Sequence, residues 1–191
     1  MRTTIKTYVF SLCVLICAAA ANAQQQPQTP TADPAFAEFQ ERVKAYSRMR
    51  AELAGKVPAL PDQATKEQIE AHKTALQQAV MAAREGADPG DIITSGTADA
   101  IRSLIRNAYT GEERRKLRQS LFVAENKTVP VRANSPYPEA AEILEMPPAL
   151  LLALPQLPKE LRWRFVGNNL LLMDSDLLLI ADYMKKALPK N

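Results

Sequence analysis

The sequence predicts an α+β domain in which helices come first and a small antiparallel sheet comes last. Three observations carry this. Apolar residues recur at every third or fourth position between Phe36 and Phe122, which is the helical period. A proline-dense stretch then breaks the pattern from Pro130 to Pro158. From Leu161 the apolar residues alternate one for one, the period of a strand. Helices and strands segregated along the chain point to α+β rather than to an alternating α/β fold.

A leader precedes this domain. Arg2 and Lys6 make a basic start, residues 7–21 are uncharged and rich in Val, Leu, Ile and Ala, and Ala21-Asn22-Ala23 offers the small side chains that a signal peptidase requires. Residues 1–23 therefore read as a cleavable signal peptide cut between Ala23 and Gln24, and the mature chain as exported, periplasmic or extracellular. An uncleaved anchor is the competing reading, but the apolar run falls short of the ~20 residues that span a bilayer. After cleavage no integral membrane protein is expected. Cys13 and Cys17 both lie in the leader, so the mature chain has no disulfide, thiol or thiolate-metal chemistry. Leu12 and Ile16 precede them where a lipidation site needs a small residue. Losing Arg2 and Lys6 lowers the formal charge from +3 to +1, which gives no electrostatic reason to bind nucleic acid.

Residues 24–33 hold Gln, Thr and Pro without a core-forming side chain and read as a disordered tether to a single domain, residues 34–191. Its helical part, residues 34–126, contains four helices. Asp33-Pro34 opens the first, because proline suits the first helical position and the Asp oxygen accepts from free amides. Phe36, Phe39, Val43, Tyr46, Met49 and Leu53 line one face, and Gly55 stops it. Thr65 and Gln68 form a capping box for the second helix, with Ile69, His72, Leu76, Val80 and Ala83 inward. Asp88-Pro89-Gly90-Asp91 is a turn, and a third helix follows over residues 97–109 with Ile101, Leu104, Ile105 and Ala108 inward. Thr110 and Glu113 box the start of a fourth helix carrying Leu117, Leu121 and Phe122.

Residues 127–160 contain seven of the 14 prolines, which forbids a long helix. The leucines among residues 149–154 still require burial, so the segment is expected to wrap the core, with residues 140–158 as a lid. Residues 161–184 read as a three-stranded meander: Leu161 to Val166, Leu170 to Met173 and Leu177 to Ile180. Helix is the competing reading here, since leucine favours it and β-branched residues are scarce. A two-residue turn at Gly167-Asn168 or at Asn168-Asn169 gives the same faces. Trp163 and Phe165 join Leu170 and Leu172 against the helices; Arg162 and Arg164 join Leu171 and Met173 on the other side, a surface suited to the lid or to a partner.

Tyr137-Pro138, Leu154-Pro155, Leu157-Pro158, Arg164-Phe165-Val166-Gly167, Leu170, Asp174 and Asp182-Tyr183 together resemble the tail of an uncharacterised family of exported bacterial proteins. In that family the last two strands are richer in Ile and Val, so the resemblance implies strands here, and it implies no activity or ligand. Val166-Gly167 with Leu170 is also similar to the end of periplasmic nickel and cobalt homeostasis proteins, over a short stretch without ligand residues.

Chemistry is sparse. His72 is the only histidine, so a zinc site or a His-based triad has no complete ligand or catalytic set, and a packed or hydrogen-bonded residue is the expectation. Asp174-Ser175-Asp176 starts like a calcium loop, but Leu177 to Ile180 follow where further oxygen ligands belong, so it reads as a polar turn. Neither a phosphate-binding glycine loop nor a carboxylate pair for glycoside cleavage is apparent. Arg102 and Arg106, with Arg114, Arg115, Lys116 and Arg118 on the next helix, offer a patch for an anionic ligand, or an ordinary solvated helix surface. The expectation is an exported cell-envelope protein without cofactor or metal that binds or scaffolds rather than catalyses. Its partner would be an envelope protein, an anionic glycan or a lipid. An envelope hydrolase with a scattered carboxylate and hydroxyl site, and a metal-homeostasis accessory protein, are the alternatives.

Overall fold

The computed structural model describes residues 33–109, 111–123, 130–137 and 146–188, apart from the side chains of residues 118, 120–123 and 149. The expected signal peptide, its Ala23/Gln24 cleavage point, the tether as far as residue 32, Thr110 of the second capping box, the Leu121 and Phe122 side chains, residues 124–126 of the helical part and residues 127–129 and 138–145 of the wrap lie outside the described residues.

Among the described residues, five helices and a four-stranded antiparallel sheet make an α+β fold. Helix α1 spans Pro34–Ala54, and the Asp33 carboxylate accepts from the Ala35 N–H at 2.9 Å, so the start is capped as its sequence requires. Phe36, Phe39, Val43 and Tyr46 are buried on one face, with Met49 and Leu53 partly buried beyond them. Helix α2, Lys66–Ala83, begins with both bonds of the Thr65/Gln68 capping box. Leu76 and Val80 carry its burial, while Ala83 is exposed. Helix α3 covers Ser95–Ala108, two residues earlier than expected, because Thr94 caps it by accepting from the Thr97 N–H. Its Ile101 and Ile105 are fully buried, and Ala108 is exposed rather than inward. Helix α4 covers Gly111–Val123 and buries Leu117.

The proline-rich stretch yields two short pieces, a two-residue strand β1, Ser135–Pro136, and helix α5, Pro148–Ala153. Strands β2, Leu161–Val166, β3, Asn169–Asp174, and β4, Leu179–Met184, follow, in the sheet order β1-β4-β3-β2. Val166 pairs with Asn169, so of the two registers left open the chain takes the Gly167-Asn168 turn. Gly167 has φ +54°, at the position where a two-residue hairpin turn of the II′ kind takes glycine. Strand β4 corrects the expected 177–180. Residues 175–178 form the turn, with Leu178 left-handed at φ +47°, and the strand runs on through the buried Asp182 to Met184. Its register shifts between Leu172 and Met173, which pair with Asp182 and Ile180 and leave Ala181 as the extra residue of a bulge.

The sheet has two apolar faces. Leu161, Trp163, Phe165, Leu170 and Leu172 join the main core with α1, α2, α3 and α5, and Trp163 stacks on Phe39 with centroids 5.4 Å apart. Leu171, Met173, Ile180 and Tyr183 form a second cluster with Tyr137, flanked by Val131 and Ala133. The cover on that face thus includes residues 131–137, whereas Met146, Leu150 and Leu154 of the expected lid belong to the main core instead. The reason is local. Pro155 has a carbonyl but no N–H to pair, and that carbonyl accepts the Trp163 indole N–H at 3.1 Å, which pulls the segment to the helix side. Residues 131–137 form a strap over that face, and Asn134, left-handed at φ +54°, pins it to the end of α2 by donating from its amide to the Met81 and Arg84 carbonyls, both at 2.8 Å.

Candidate functional site

Two buried carboxylates organise the polar interior. Asp182 stands in an otherwise apolar strand, fully buried, and its two oxygens accept from the N–H groups of Gly90, Ile92, Ile93 and Tyr183 at 2.7–3.0 Å. The 88–93 turn, in which Gly90 has φ +104°, wraps its amides around this anion. Asp182 is therefore a structural peg that replaces the partners these amides would find in water.

Asp174, at the end of β3, is the second. One oxygen accepts from Arg50 Nε at 2.6 Å and from the Tyr46 hydroxyl at 3.1 Å, and the other accepts from the Leu177 N–H at 3.2 Å. Burial pushes the Asp174 carboxyl up, and Arg50, the Leu177 N–H and Tyr46 pull it back. Burial, with the Asp174 charge beside it, drives the Tyr46 phenol far above its ordinary value, so it stays a proton donor at any ordinary pH. The Arg84 guanidinium lies over the Tyr46 ring, 5.5 Å from its centroid, and donates to the Ala181 carbonyl at 2.6 Å. Arg50 also reaches Asp176 at 3.0 Å, at the surface. Nearby, burial acts to raise the Glu160 carboxyl, but the Ser47 hydroxyl at 2.6 Å, its own backbone amide and Arg50 hold it below the usual range.

Where this network reaches the surface there is a cleft of ≈ 470 Å³. One wall is a stripe of α2, Glu70, Lys73, Thr74 and Gln77, spaced to share a face. The other is the β3–β4 turn, residues 175–178, with Tyr137 of the strap at the side. Gln77 donates from Nε2 to the Leu177 carbonyl at 2.6 Å, and the Tyr137 N–H donates to the Leu178 carbonyl at 2.6 Å, so both walls hold the left-handed turn in shape. Lys73 pairs with Glu70 at 3.3 Å. The Ser175 Oγ is shielded from solvent and has no hydrogen-bond partner among the described residues. A smaller cleft of ≈ 290 Å³ lies over Tyr46, between Arg42 and Arg84.

The arginines singled out in the sequence are scattered in role. Arg102 donates to the Lys185 and Lys186 carbonyls at 3.0 and 3.1 Å and pairs with Asp99, clamping the chain after β4. Arg114 donates to the Tyr109 and Arg106 carbonyls, which satisfies the exposed end of α3. Arg115 is paired with Glu112, Arg106 is exposed, and the Arg118 side chain lies outside the described residues. On the sheet, the register left open in the sequence pairs Arg162 with Met173 and Arg164 with Leu171. Leu171 and Met173 are buried in the second cluster, so only the arginine part of that surface is open to solvent. Each arginine also donates to a carbonyl of its own strand, Leu161 for Arg162 and Trp163 for Arg164.

His72 is half-buried, with Nδ1 2.9 Å from the Pro58 carbonyl, and ties the α1–α2 link to α2. Among the described residues no group of three His, Cys, Asp or Glu side chains gathers to hold a metal, and no helix is long and apolar enough to cross a membrane. Sequence reasoning missed the structural part of Asp182 and the cleft beside Asp174. An acid flanked by Leu179-Ile180-Ala181 and Tyr183-Met184 was the signal available for the first. The second joins α2 to a turn 100 residues away and leaves no local pattern. No protein-family model, curated protein or solved structure matches the chain.

Proposed function

We propose that this is an exported cell-envelope protein that works by binding, as a non-catalytic domain, and that the cleft between α2 and the β3–β4 turn is its ligand-facing surface. The observation that carries this reading is how the site's ionisable groups are employed. Asp174 and Asp182 are buried against internal donors, and Lys73 and Glu70 are spent on each other. What the cleft offers a ligand is a set of neutral donors and acceptors on a rigid frame, suited to recognition rather than to proton transfer. The signal-like leader of residues 1–23 supports action in the periplasm or outside the cell.

Thr74 is exposed in the cleft wall, so a photo-cross-linking side chain placed there reads the ligand directly. In intact envelopes the full-length chain is expected to give a discrete adduct at position 74 and none at an exposed position remote from the cleft, such as Glu112. Product release from ester, amide, glycoside or phosphate substrates, lost on substitution of a cleft residue, would instead identify a hydrolase and sink the binding reading.

A further inference from the structure

We propose that the cleft takes a neutral, polyhydroxylated ligand, a short saccharide, in preference to an ion or a zwitterion. The inference rests on the binding reading and names its ligand class. The charges lining the cleft are already matched. Lys73 and Glu70 are 3.3 Å apart, and Asp176 is 3.0 Å from Arg50. An ionic ligand would have to break one of these pairs and take its place, exchanging one solvated contact for another with little gain.

The remaining groups are neutral. Thr74 presents a hydroxyl, and Gln77 is held by its Nε2 bond to the Leu177 carbonyl, which turns its amide so that Oε1 is the atom left to accept. The Ser175 hydroxyl lies behind this surface, shielded from solvent and so out of a ligand's reach. A sugar hydroxyl donates and accepts at one atom, so it can donate to the Gln77 Oε1 and take either role with the Thr74 hydroxyl, whereas a carboxylate only accepts and leaves Oε1 unmet. Leu178, partly exposed in the same wall, supplies apolar surface for a sugar's C–H face. The volume, ≈ 470 Å³, lies within the roughly 300–1,000 Å³ of small-molecule sites. The frame is also fixed before binding, because Gln77, Tyr137 and the Leu177 N–H bond to Asp174 hold the left-handed Leu178 turn from three sides.

The test titrates the full chain with cellobiose and with chitobiose, using the dipeptide Ala-Ala and inorganic phosphate as charged comparisons, and follows backbone amide NMR shifts. Saturable shifts are expected with a neutral sugar at Thr74, Gln77 and residues 175–178, unmoved by added salt. Thr74→Val should weaken the sugar about three- to tenfold, the worth of one neutral hydrogen bond, with the thermal midpoint unchanged. Absence of saturable shifts with both sugars, sugar shifts that map elsewhere, or tighter binding of phosphate or Ala-Ala at these residues would overturn the assignment. The cross-link at position 74 separates the two levels. If it persists while the sugars fail, the ligand class is wrong and the binding reading stands; if it is also absent, both fall.

Discussion

On the helix side of the sheet, Trp163, Phe165, Leu170 and Leu172 meet side chains from α1, α2, α3 and α5, elements far apart in the chain. On the opposite side, Leu171, Met173 and Ile180 are gathered with Tyr137 by a strap that two Asn134 bonds and a few backbone bonds hold in place. The same strands supply both faces, and alternation, shifted in β4 by the bulge at Ala181, decides which side chain goes where. The difference teaches that burial is not equivalent to structural leverage. A residue on the helix side ties distant elements into one cooperative unit, whereas a residue on the strap side holds down a single local segment.

Trp163→Ala is the sharpest way to break this contrast. Trp163 is 2 % exposed, stacks on Phe39 and donates to the Pro155 carbonyl, so the variant loses packing and orphans an acceptor at once. A loss of about 3–5 kcal/mol is expected in denaturant melts, with all elements unfolding together. A melt like wild type would show that the helix side is not the cooperative core. Asp182→Asn comes next. The amide keeps the shape but turns one acceptor into a donor aimed at backbone N–H groups, for an expected loss of about 2–4 kcal/mol. Hydrogen exchange should quicken at Gly90, Ile92 and Ile93, and unchanged exchange there would mean that the turn does not depend on the carboxylate.

These two residues also mark how far the sequence could be read. The one-for-one alternation of residues 161–166 places Trp163 on the helix side, because a strand allows each side chain only two directions and the arginines occupy the other. The caps at Asp33 and Thr65 were legible for the same reason: each is a bond within a few residues. Asp182 was not, since its partners lie some 90 residues away. Nor was the strap, whose anchor depends on the side chain of Asn134 reaching α2, and the proline-rich stretch around it gives no period to follow. The candidate cleft fell to the same limit, being an encounter of α2 with a turn that local spacing does not encode.

The strap side should respond locally. Asn134→Gly keeps the left-handed backbone but loses both amide bonds to α2, and a cost of about 1–2 kcal/mol is expected. The effect should appear as faster exchange of the Asn134 and Tyr137 N–H groups, which bond to Ile180 and Leu178, while the main core keeps its protection. Loss of protection throughout would make the strap part of the cooperative unit.

A smaller effect arises from pH. The Tyr46 phenol is raised in the fold, so its contribution is fully present below the unfolded value near 10 and is lost as pH rises beyond it, when the unfolded chain ionises and the folded one does not. Stability should fall above pH 10 with a slope approaching about 1.4 kcal/mol per unit from this group. Burial raises Tyr109 and Tyr137 as well, so Tyr46→Phe should flatten this limb without abolishing it. An identical alkaline limb in the variant would show that the phenol ionises as easily inside the fold as outside.

The smallest effect is expected at Arg162, which has Met173 as its cross-strand partner but an exposed side chain of its own. Its guanidinium donates to the Lys159 carbonyl at 2.6 Å and the Leu161 carbonyl at 2.8 Å, both near in sequence, so it bridges no distant elements. A surface arginine of this kind contributes little, because water replaces its hydrogen bonds and the long side chain regains its rotamers. Arg162→Glu should therefore leave the denaturant midpoint within the equivalent of about 0.5 kcal/mol. The comparison with Trp163 is stringent, since the two are adjacent on one strand and take opposite faces of the sheet. If Arg162→Glu unfolds the chain, position on the strand rather than face would set the leverage, and the contrast between the two sides of the sheet would collapse.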